Sequence, residues 1–248
     1  MPDLRLQISE FRLPLGPEVS IGNLQAEICN RVAWLIVGLG NPGPAYAATR
    51  HNAGFRVVEA LATGAGARFH GPEGAALWAR GMVEGHAAIL LKPQAWMNGS
   101  GPPVAGWLAA LGLPPDRLLV VNDDLDLAVG RVKVAAGSGH GGHRGVRSVG
   151  EALGTLAFPR ARVGIGRPAG VEATAYVLAT PGPEEAAALR AGEARAAEAV
   201  RTILADGLAA AMNRWNPWPP AGPGQIRSSK LETRNEEPEE GGIRRAAV

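Results

Sequence analysis

The chain reads WLIVGLGNPG over residues 34–43, and this stretch decides the fold. Four apolar residues closed by glycine predict a buried β-strand that ends in a tight turn. The glycines also satisfy GxGxxG, the dinucleotide fingerprint, so a nicotinamide enzyme is one alternative. Pro42 argues against it, because a proline removes a backbone N–H where a pyrophosphate needs donors. The turn leaves Asn41 at the C-terminal end of a strand, where α/β proteins usually form their sites.

Outward from this strand, strand-like and helix-like segments alternate. Two strands join across Gly85 as a hairpin, so the sheet contains antiparallel pairs. The alternation predicts an α/β fold: a single domain with a twisted, mixed β-sheet and helices on both faces. The predicted strands are 34–37, 76–84, 86–92, 118–121, 129–134 and 161–165; the predicted helices are 52–63, 104–111, 146–156 and 184–213, the last with glycines 192 and 207 as candidate breaks.

The two ends of the chain differ from its middle. Residues 1–32 alternate weakly and carry no motif, so we interpret them as an N-terminal extension. The tail, 217–248, is rich in proline, glycine and charge, a composition that predicts disorder. The α/β domain is therefore expected over 33–216.

Composition excludes several classes of protein. The single cysteine, Cys29, rules out an internal disulfide and a thiolate zinc cluster. No apolar run approaches the roughly 18 residues that cross a bilayer, which predicts a protein away from the membrane. We expect a cytoplasmic location and leave an organellar one open. The net charge is +2, with the basic excess in the middle of the chain, which is compatible with a phosphate-bearing partner.

Polar side chains follow the predicted strands. His51 stands at a loop-to-helix junction ten residues after Asn41, so both can face one cleft. A lone histidine is more often structural, but a neutral imidazole in a cleft can take a proton from water. Asn98 follows the second hairpin strand and offers an amide that can donate to an oxyanion.

Three carboxylates, Asp123, Asp124 and Asp126, follow the strand at 118–121. They can bind Mg²⁺, cap a turn, or orient a histidine. A magnesium enzyme normally takes further acids from other strand ends, and here those ends carry Asn41, Asn98 and glycines. We therefore favour a histidine partner, with Asp123 in that role and Asp126 as a turn cap.

A glycine-rich loop, 137–145, leads into the predicted helix at 146–156. It is either a flexible connection or a cradle for phosphate or an RNA backbone, with Arg160 and Arg162 on the same basic side. Its His140 and His143 have the spacing of zinc ligands, yet without cysteines or a clear third ligand we predict no metal site.

Together these motifs resemble the bacterial-type peptidyl-tRNA hydrolase family, over about three quarters of the chain. Six motifs occur in the family's order and spacing, which is far more specific than any one of them. They are GLGNPG (38–43), TRHNAG (49–54) after Tyr46, MNGSG (97–101), NDDLD (122–126), GHGGH (139–143) and VGIGRP (163–168).

The resemblance implies an esterase that cuts the bond between a peptide and the 3′ end of a tRNA, without metal or cofactor, and we expect it to be a monomer. His51 matches the family's general base and Asp123 its carboxylate partner. The amides of Asn41 and Asn98 match those that hold the substrate. The remaining matches line the cleft or meet the tRNA acceptor arm and 3′ end: Tyr46, Met97, Lys133, His143, Arg144 and Arg162.

One position departs from the family. After GGH the family usually has asparagine, and this chain has Arg144. The change leaves open a second class of function, a non-hydrolytic RNA-binding paralogue resembling splicing factors of the same superfamily. The presence of His51, Asp123, Asn41 and Asn98 favours the enzyme.

Overall fold

The strand predicted at 34–37 is β1, Trp34–Gly38, and all five of its residues are buried. The computed structural model describes residues 32–167 and 170–217. Nearly all of the N-terminal extension and of the tail lies outside the described residues, so the expectations for both stay predictions. The domain boundaries at 33 and 216 also stay predictions.

Within the described residues, seven strands form one mixed sheet in the order β2-β3-β4-β1-β5-β7-β6. The four inner strands, β4, β1, β5 and β7, run parallel, and the outer strands β3 and β6 pair with them antiparallel. The mixed sheet predicted from the hairpin is confirmed. The strands other than β1 are β2 His70–Glu73, β3 Ala76–Val83, β4 His86–Pro93, β5 Leu118–Asp124, β6 Val132–Ala136 and β7 Pro159–Gly164.

Helices cover both faces of the sheet, as predicted. Alternation along β1 separates the two cores: Ile36 faces a cluster that includes Val58 and Val200, whereas Leu35 and Val37 face the other cluster. The helices are α1 Ala53–Gly64, α2 Gly101–Ala110, α3 Arg144–Leu153, α4 Ala173–Leu178, α5 Pro183–Asp206 and α6 Leu208–Trp215. In the described residues no helix is long and apolar enough to cross a membrane.

Several element boundaries differ from the predictions. β2 and α4 were missed, and β6 begins three residues later than predicted. The predicted long helix ends at Gly207, whose φ of 86° stops it, but it runs through Gly192. At Gly192 a Cβ would come within 2.5 Å of the Gly130 Cα. That glycine therefore permits close packing and is not a break.

The glycines of GLGNPG serve packing at the start of α1. A Cβ on Gly38 would overlap the carbonyl of Gly54, and one on Gly54 would lie 2.5 Å from the Leu39 nitrogen. The end of β1 can therefore approach the first turn of α1 closely. This approach brings the loop after β1 beside the residues that open the helix, and so positions Asn41 near His51.

Candidate active site

A cleft of about 460 Å³ lies over the C-terminal ends of the parallel strands. The sheet topology explains its position, because polar residues that follow parallel strands meet at one edge. Of the ten site residues predicted from the sequence, Tyr46 and Lys133 do not line the cleft. The other eight do: Asn41, His51, Met97, Asn98, Asp123, His143, Arg144 and Arg162.

His51 belongs to a single 3-10 turn, Arg50–Asn52, directly before α1. Its side chain is 11% exposed. The ring Nδ1 lies 2.9 Å from Asp123 Oδ1 and 3.0 Å from Asp123 Oδ2. The contact that the sequence led us to expect between these two residues is present. Because Nδ1 faces the carboxylate, Nε2 on the other side of the ring is left for the cleft.

Asp123 is a buried residue of β5, not of the loop after it, because the strand runs through Asp124. It contacts a second imidazole as well: His143 Nε2 lies 2.9 Å from Asp123 Oδ1. Burial by itself raises the pKa of a carboxyl group. The attraction and hydrogen bonds of His51 and His143 outweigh it and hold the pKa of Asp123 far below its usual value. Asp123 is therefore an anion that accepts from both rings.

Backbone contacts fix which ring nitrogen of His143 carries the proton. His143 is the N-cap of α3, and its Nδ1 accepts from the backbone N–H groups of Gly145 and Val146, at 3.1 and 3.2 Å. A nitrogen that accepts carries no proton, so Nε2 carries it in the neutral ring and donates to Asp123.

The N-cap contacts of His143 also affect whether His51, Asp123 and His143 could hold a metal ion together. The ligand atoms of His51, Asp123 and His143 lie within 4.8 Å of one another, which is close enough for a metal ion. A metal on His143 Nε2 would force the ring proton onto Nδ1, where it would face two backbone N–H donors. The donor set therefore suits proton sharing better than metal binding.

Asn41 is held in one orientation by hydrogen bonds on both sides. Its Oδ1 accepts from the Met97 backbone N–H at 2.9 Å. Its backbone N–H and carbonyl pair with the Asn52 side-chain amide at 2.9 and 3.0 Å. The amide Nδ2 of Asn41 is left as a donor toward the cleft. Asn52 was not predicted as a site residue; the available signal was its position next to His51, eleven residues after Asn41.

The residues around Asn98 form the rim of the cleft. Asn98 is exposed, whereas Met97 is buried against Gly145, at which a Cβ would meet the Met97 sulfur at 2.5 Å. Trp96, also missed from the sequence, is 59% exposed and lines the cleft. The Tyr46 ring packs edge-on against it, with centroids 5.5 Å apart. Tyr46 therefore supports the rim through Trp96.

The basic residues divide into structural and accessible ones. Arg160 was expected on the basic surface, but it is buried and donates to Gly139 O and to Ser138, so it anchors the glycine-rich loop. Arg162 lines the cleft and is ion-paired with Asp124. Asp124, rather than Asp126, caps the turn, by accepting from the Asp126 backbone N–H.

Arg144 is the first residue of α3 and is exposed at the cleft. Within the described residues its guanidinium makes no hydrogen bond or ion pair. Glu172 also lines the cleft, from the N-cap of α4, where it accepts from Ala175 N–H. Hydrogen bonds from the backbone N–H groups of Thr174 and Ala175 hold the pKa of Glu172 below its usual value, with a smaller effect from the Arg144 charge. With α4, Glu172 forms a cleft wall that was not predicted from the sequence.

Fold and site thus define a class: a single-domain α/β protein with a histidine–carboxylate pair and two amides in one cleft. The sequence profile of the family described as "Peptidyl-tRNA hydrolase" matches residues 35–222, and the chain belongs to that family. A peptidyl-tRNA hydrolase of Chloroflexus aggregans is 47% identical over 186 residues, 74% of this chain and 99% of the relative. One of Symbiobacterium thermophilum is 49% identical over 191 residues, 75% of this chain and all of the relative.

A solved structure agrees. The crystal structure of peptidyl-tRNA hydrolase from Acinetobacter baumannii superposes with a TM-score of 0.69 at 36% identity, covering 73% of this chain and 94% of that one. The two relatives named above are peptidyl-tRNA hydrolases, a class of ester hydrolase. They favour the enzyme over the non-hydrolytic paralogue.

Proposed function

We propose that this chain hydrolyses the ester bond between a peptide and the 3′ end of a tRNA, with His51 as the general base. The observation that carries the proposal is the contact between His51 Nδ1 and both oxygens of the buried Asp123. It fixes the tautomer of His51 and leaves Nε2 unprotonated toward the cleft. Family membership supplies the substrate class.

In the proposed reaction a water molecule attacks the ester carbon while His51 Nε2 takes one of its protons. The carbonyl oxygen becomes an oxyanion, which Asn41 Nδ2 and Asn98 stabilise by donating hydrogen bonds. The bond from the carbon to the ribose oxygen then breaks, and protonated His51 returns the proton to that oxygen. The products are a peptide with a free carboxyl group and a tRNA with a free hydroxyl. A water nucleophile suffices because an ester has a better leaving group than an amide.

The roles of the oxyanion donors rest on how they are held. Asn41 is nine-tenths buried and clamped on both sides, so its Nδ2 is preorganised to donate. Asn98 is exposed and can adjust to the substrate. A fixed donor acts on the developing charge without reorganising, which is why such donors are worth about 10²–10³-fold in rate.

The residues around the cleft would contact the two parts of the substrate, the peptide and the tRNA. Met97, with Tyr46 behind Trp96, would contact the peptide. Arg144 and Arg162, which line the cleft, would face the acceptor arm together with Lys133, the register partner of Arg162 on the neighbouring strand β6. His143, whose two ring nitrogens already have partners, would act through Asp123 and not by a polar contact with the tRNA. Peptidyl-tRNA is made where translation occurs, which supports a cytoplasmic location. The monomeric state stays a prediction.

The test is to incubate purified protein with an N-acyl-aminoacyl-tRNA and measure released tRNA. We expect release by the wild type and by His86→Ala, which replaces a histidine on β4, and its near-complete loss in His51→Ala. Tight tRNA binding with no release by the wild type would instead support the RNA-binding alternative.

A further inference from the structure

The 3-10 turn that carries His51 is attached to helix α5 at two points. Arg50, inside the turn, pairs with Glu185, and Arg56, one turn into α1, pairs with Glu193. Glu185 and Glu193 are eight residues apart on one helix, which is about 12 Å along its axis. Two attachments that far apart fix both the position and the tilt of the segment between them.

Arg50 also binds residues outside its own 3-10 turn. Its Nε and Nη2 donate to the two oxygens of Glu185, each at 2.6 Å. Its Nη1 donates to the carbonyls of Ala179 at 2.9 Å and Tyr176 at 3.3 Å, and its backbone N–H also donates to Ala179 O. The guanidinium carbon lies 4.1 Å from the centre of the Tyr176 ring. A single buried side chain therefore joins the base-carrying turn, the cleft wall α4 and helix α5.

Tyr176 completes the junction. Its hydroxyl donates to Ile165 O at 2.6 Å and lies 3.1 Å from Glu185 Oε1. Hydrogen bonds from Arg50 hold the pKa of Glu185 below its usual value, so the pair stays charged near neutral pH. The neighbours of Tyr176 on α4, Val177 and Leu178, line the cleft.

Arg56 has the more limited role. It donates to Glu193 Oε1 at 2.7 and 2.9 Å, and to the carbonyls of Ala47 and Thr49 at 2.8 Å. These contacts reach the segment before His51 but not α4. The two arginines therefore form a matched pair in which only Arg50 touches the cleft wall.

We propose that Arg50 is a positioning residue that sets the distance between His51 and the cleft wall α4, and so between the base and the bound substrate. This inference rests on the proposed function. A general base works only when the reacting atoms are correctly placed, and a displacement of about 1 Å can cost about 10²-fold in rate. Lysine cannot replace Arg50, because it lacks the planar fork that holds Glu185 and the carbonyls at once.

The experiment compares Arg50→Lys, Arg56→Lys and Arg201→Lys by their kcat and KM for N-acyl-aminoacyl-tRNA, well below each variant's Tm. Arg201 is the control, since it also pairs from α5 with a glutamate, Glu84, away from the cleft. We expect Arg50→Lys to lower kcat at least 10-fold and to raise KM several-fold. Arg56→Lys should lower kcat with KM within 2-fold, and Arg201→Lys should change neither.

Tyr176→Phe provides a second route should Arg50→Lys fold poorly. It keeps the ring on Arg50 and removes only the hydroxyl contacts with Ile165 and Glu185, so kcat should fall and KM rise in a folded protein. Wild-type rates in folded Arg50→Lys and Tyr176→Phe, or the same kcat and KM pattern in the Arg50 and Arg56 variants, would overturn the inference. If the wild type releases no tRNA, the proposed function fails instead.

Discussion

His143 Nε2 and His51 Nδ1 lie at the same distance, 2.9 Å, from one oxygen of Asp123. Only the proton on His51 changes during the proposed reaction. The proton on His143 is held by the backbone contacts of its Nδ1, so His143 gives Asp123 a constant donor. Asp123 is thereby kept ionised and aligned with His51.

The two contacts of His143 can be separated by substitution. His143→Asn keeps an N-cap oxygen for α3 but loses the donor to Asp123, and His143→Ala loses both. A hydrogen bond to a charged group is worth about 1.5–3 kcal/mol, so both variants should lose about 10-fold or more in kcat. The lost cap should lower Tm in His143→Ala by a further ~2–4 °C. Unchanged kcat in folded His143→Asn would remove His143 from the site.

His51 should be indispensable for rate but not for tRNA binding. Replacing it with alanine removes the proton acceptor, and general-base catalysis contributes at least about 10² in rate. We expect His51→Ala to bind tRNA within a few-fold of the wild type, by filter binding, while hydrolysis falls at least that much. Near-normal turnover in this variant would contradict its assignment as the base.

Most of the fold was predictable from the sequence because buried strands and helices carry regular apolar patterns. β2 and α4 were missed because they are short and lack such a pattern. Helix α4 is six residues long, and its place is set by distant partners such as Arg50 and Glu185. These tertiary contacts have no local signature in the sequence.

The place of a cleft residue was predictable where a polar side chain comes at or just after the end of a buried strand, as for Asn41 and Asp123. The tautomer of His143 was not, since it depends on the orientation of a ring toward two backbone N–H groups. Arg160 was misassigned because a charged residue on a strand gives no sign of being buried. Its guanidinium donates to Gly139 O and to Ser138 Oγ in the glycine-rich loop.

Catalysis should not require a metal. The backbone donors facing His143 Nδ1 oppose metal ligation through Nε2, and the proposed steps use only side chains and water. We expect the hydrolysis rate to be unchanged after dialysis against a chelator and on adding back Zn²⁺ or Mg²⁺. Loss of activity on chelation, restored by one particular ion, would make the cluster of His51, Asp123 and His143 a metal site.

Asp123 should make the protein less stable in acid. Its folded pKa lies below its unfolded value of about 3.9, so the folded state binds fewer protons than the unfolded chain below about pH 4. The stabilisation is fully present above that pH. The free energy of unfolding should fall as the pH drops from about 4 toward the folded pKa of Asp123. Urea titrations should show a shallower fall for Asp123→Asn. The exposed Asp126→Asn serves as control. Equal slopes in all three proteins would contradict the prediction.

Arg144 stands where the family usually has asparagine. Asparagine both donates and accepts, whereas arginine only donates and is always charged. A guanidinium at the cleft disfavours the second positive charge that forms when His51 takes a proton, which slows turnover. Its exposed position and reach also let it bind a phosphate of the tRNA 3′ end.

Both effects predict one result for Arg144→Asn: a higher kcat and weaker tRNA binding. The binding difference should shrink as salt increases, because one phosphate contact changes the salt slope by about 0.7–0.9. Arg147→Gln is the matched control, an exposed arginine on the same helix that pairs with Glu151, and it should leave kcat unchanged. If Arg144→Asn alters neither kcat nor the salt dependence of binding, Arg144 points away from the substrate and the departure from the family is neutral.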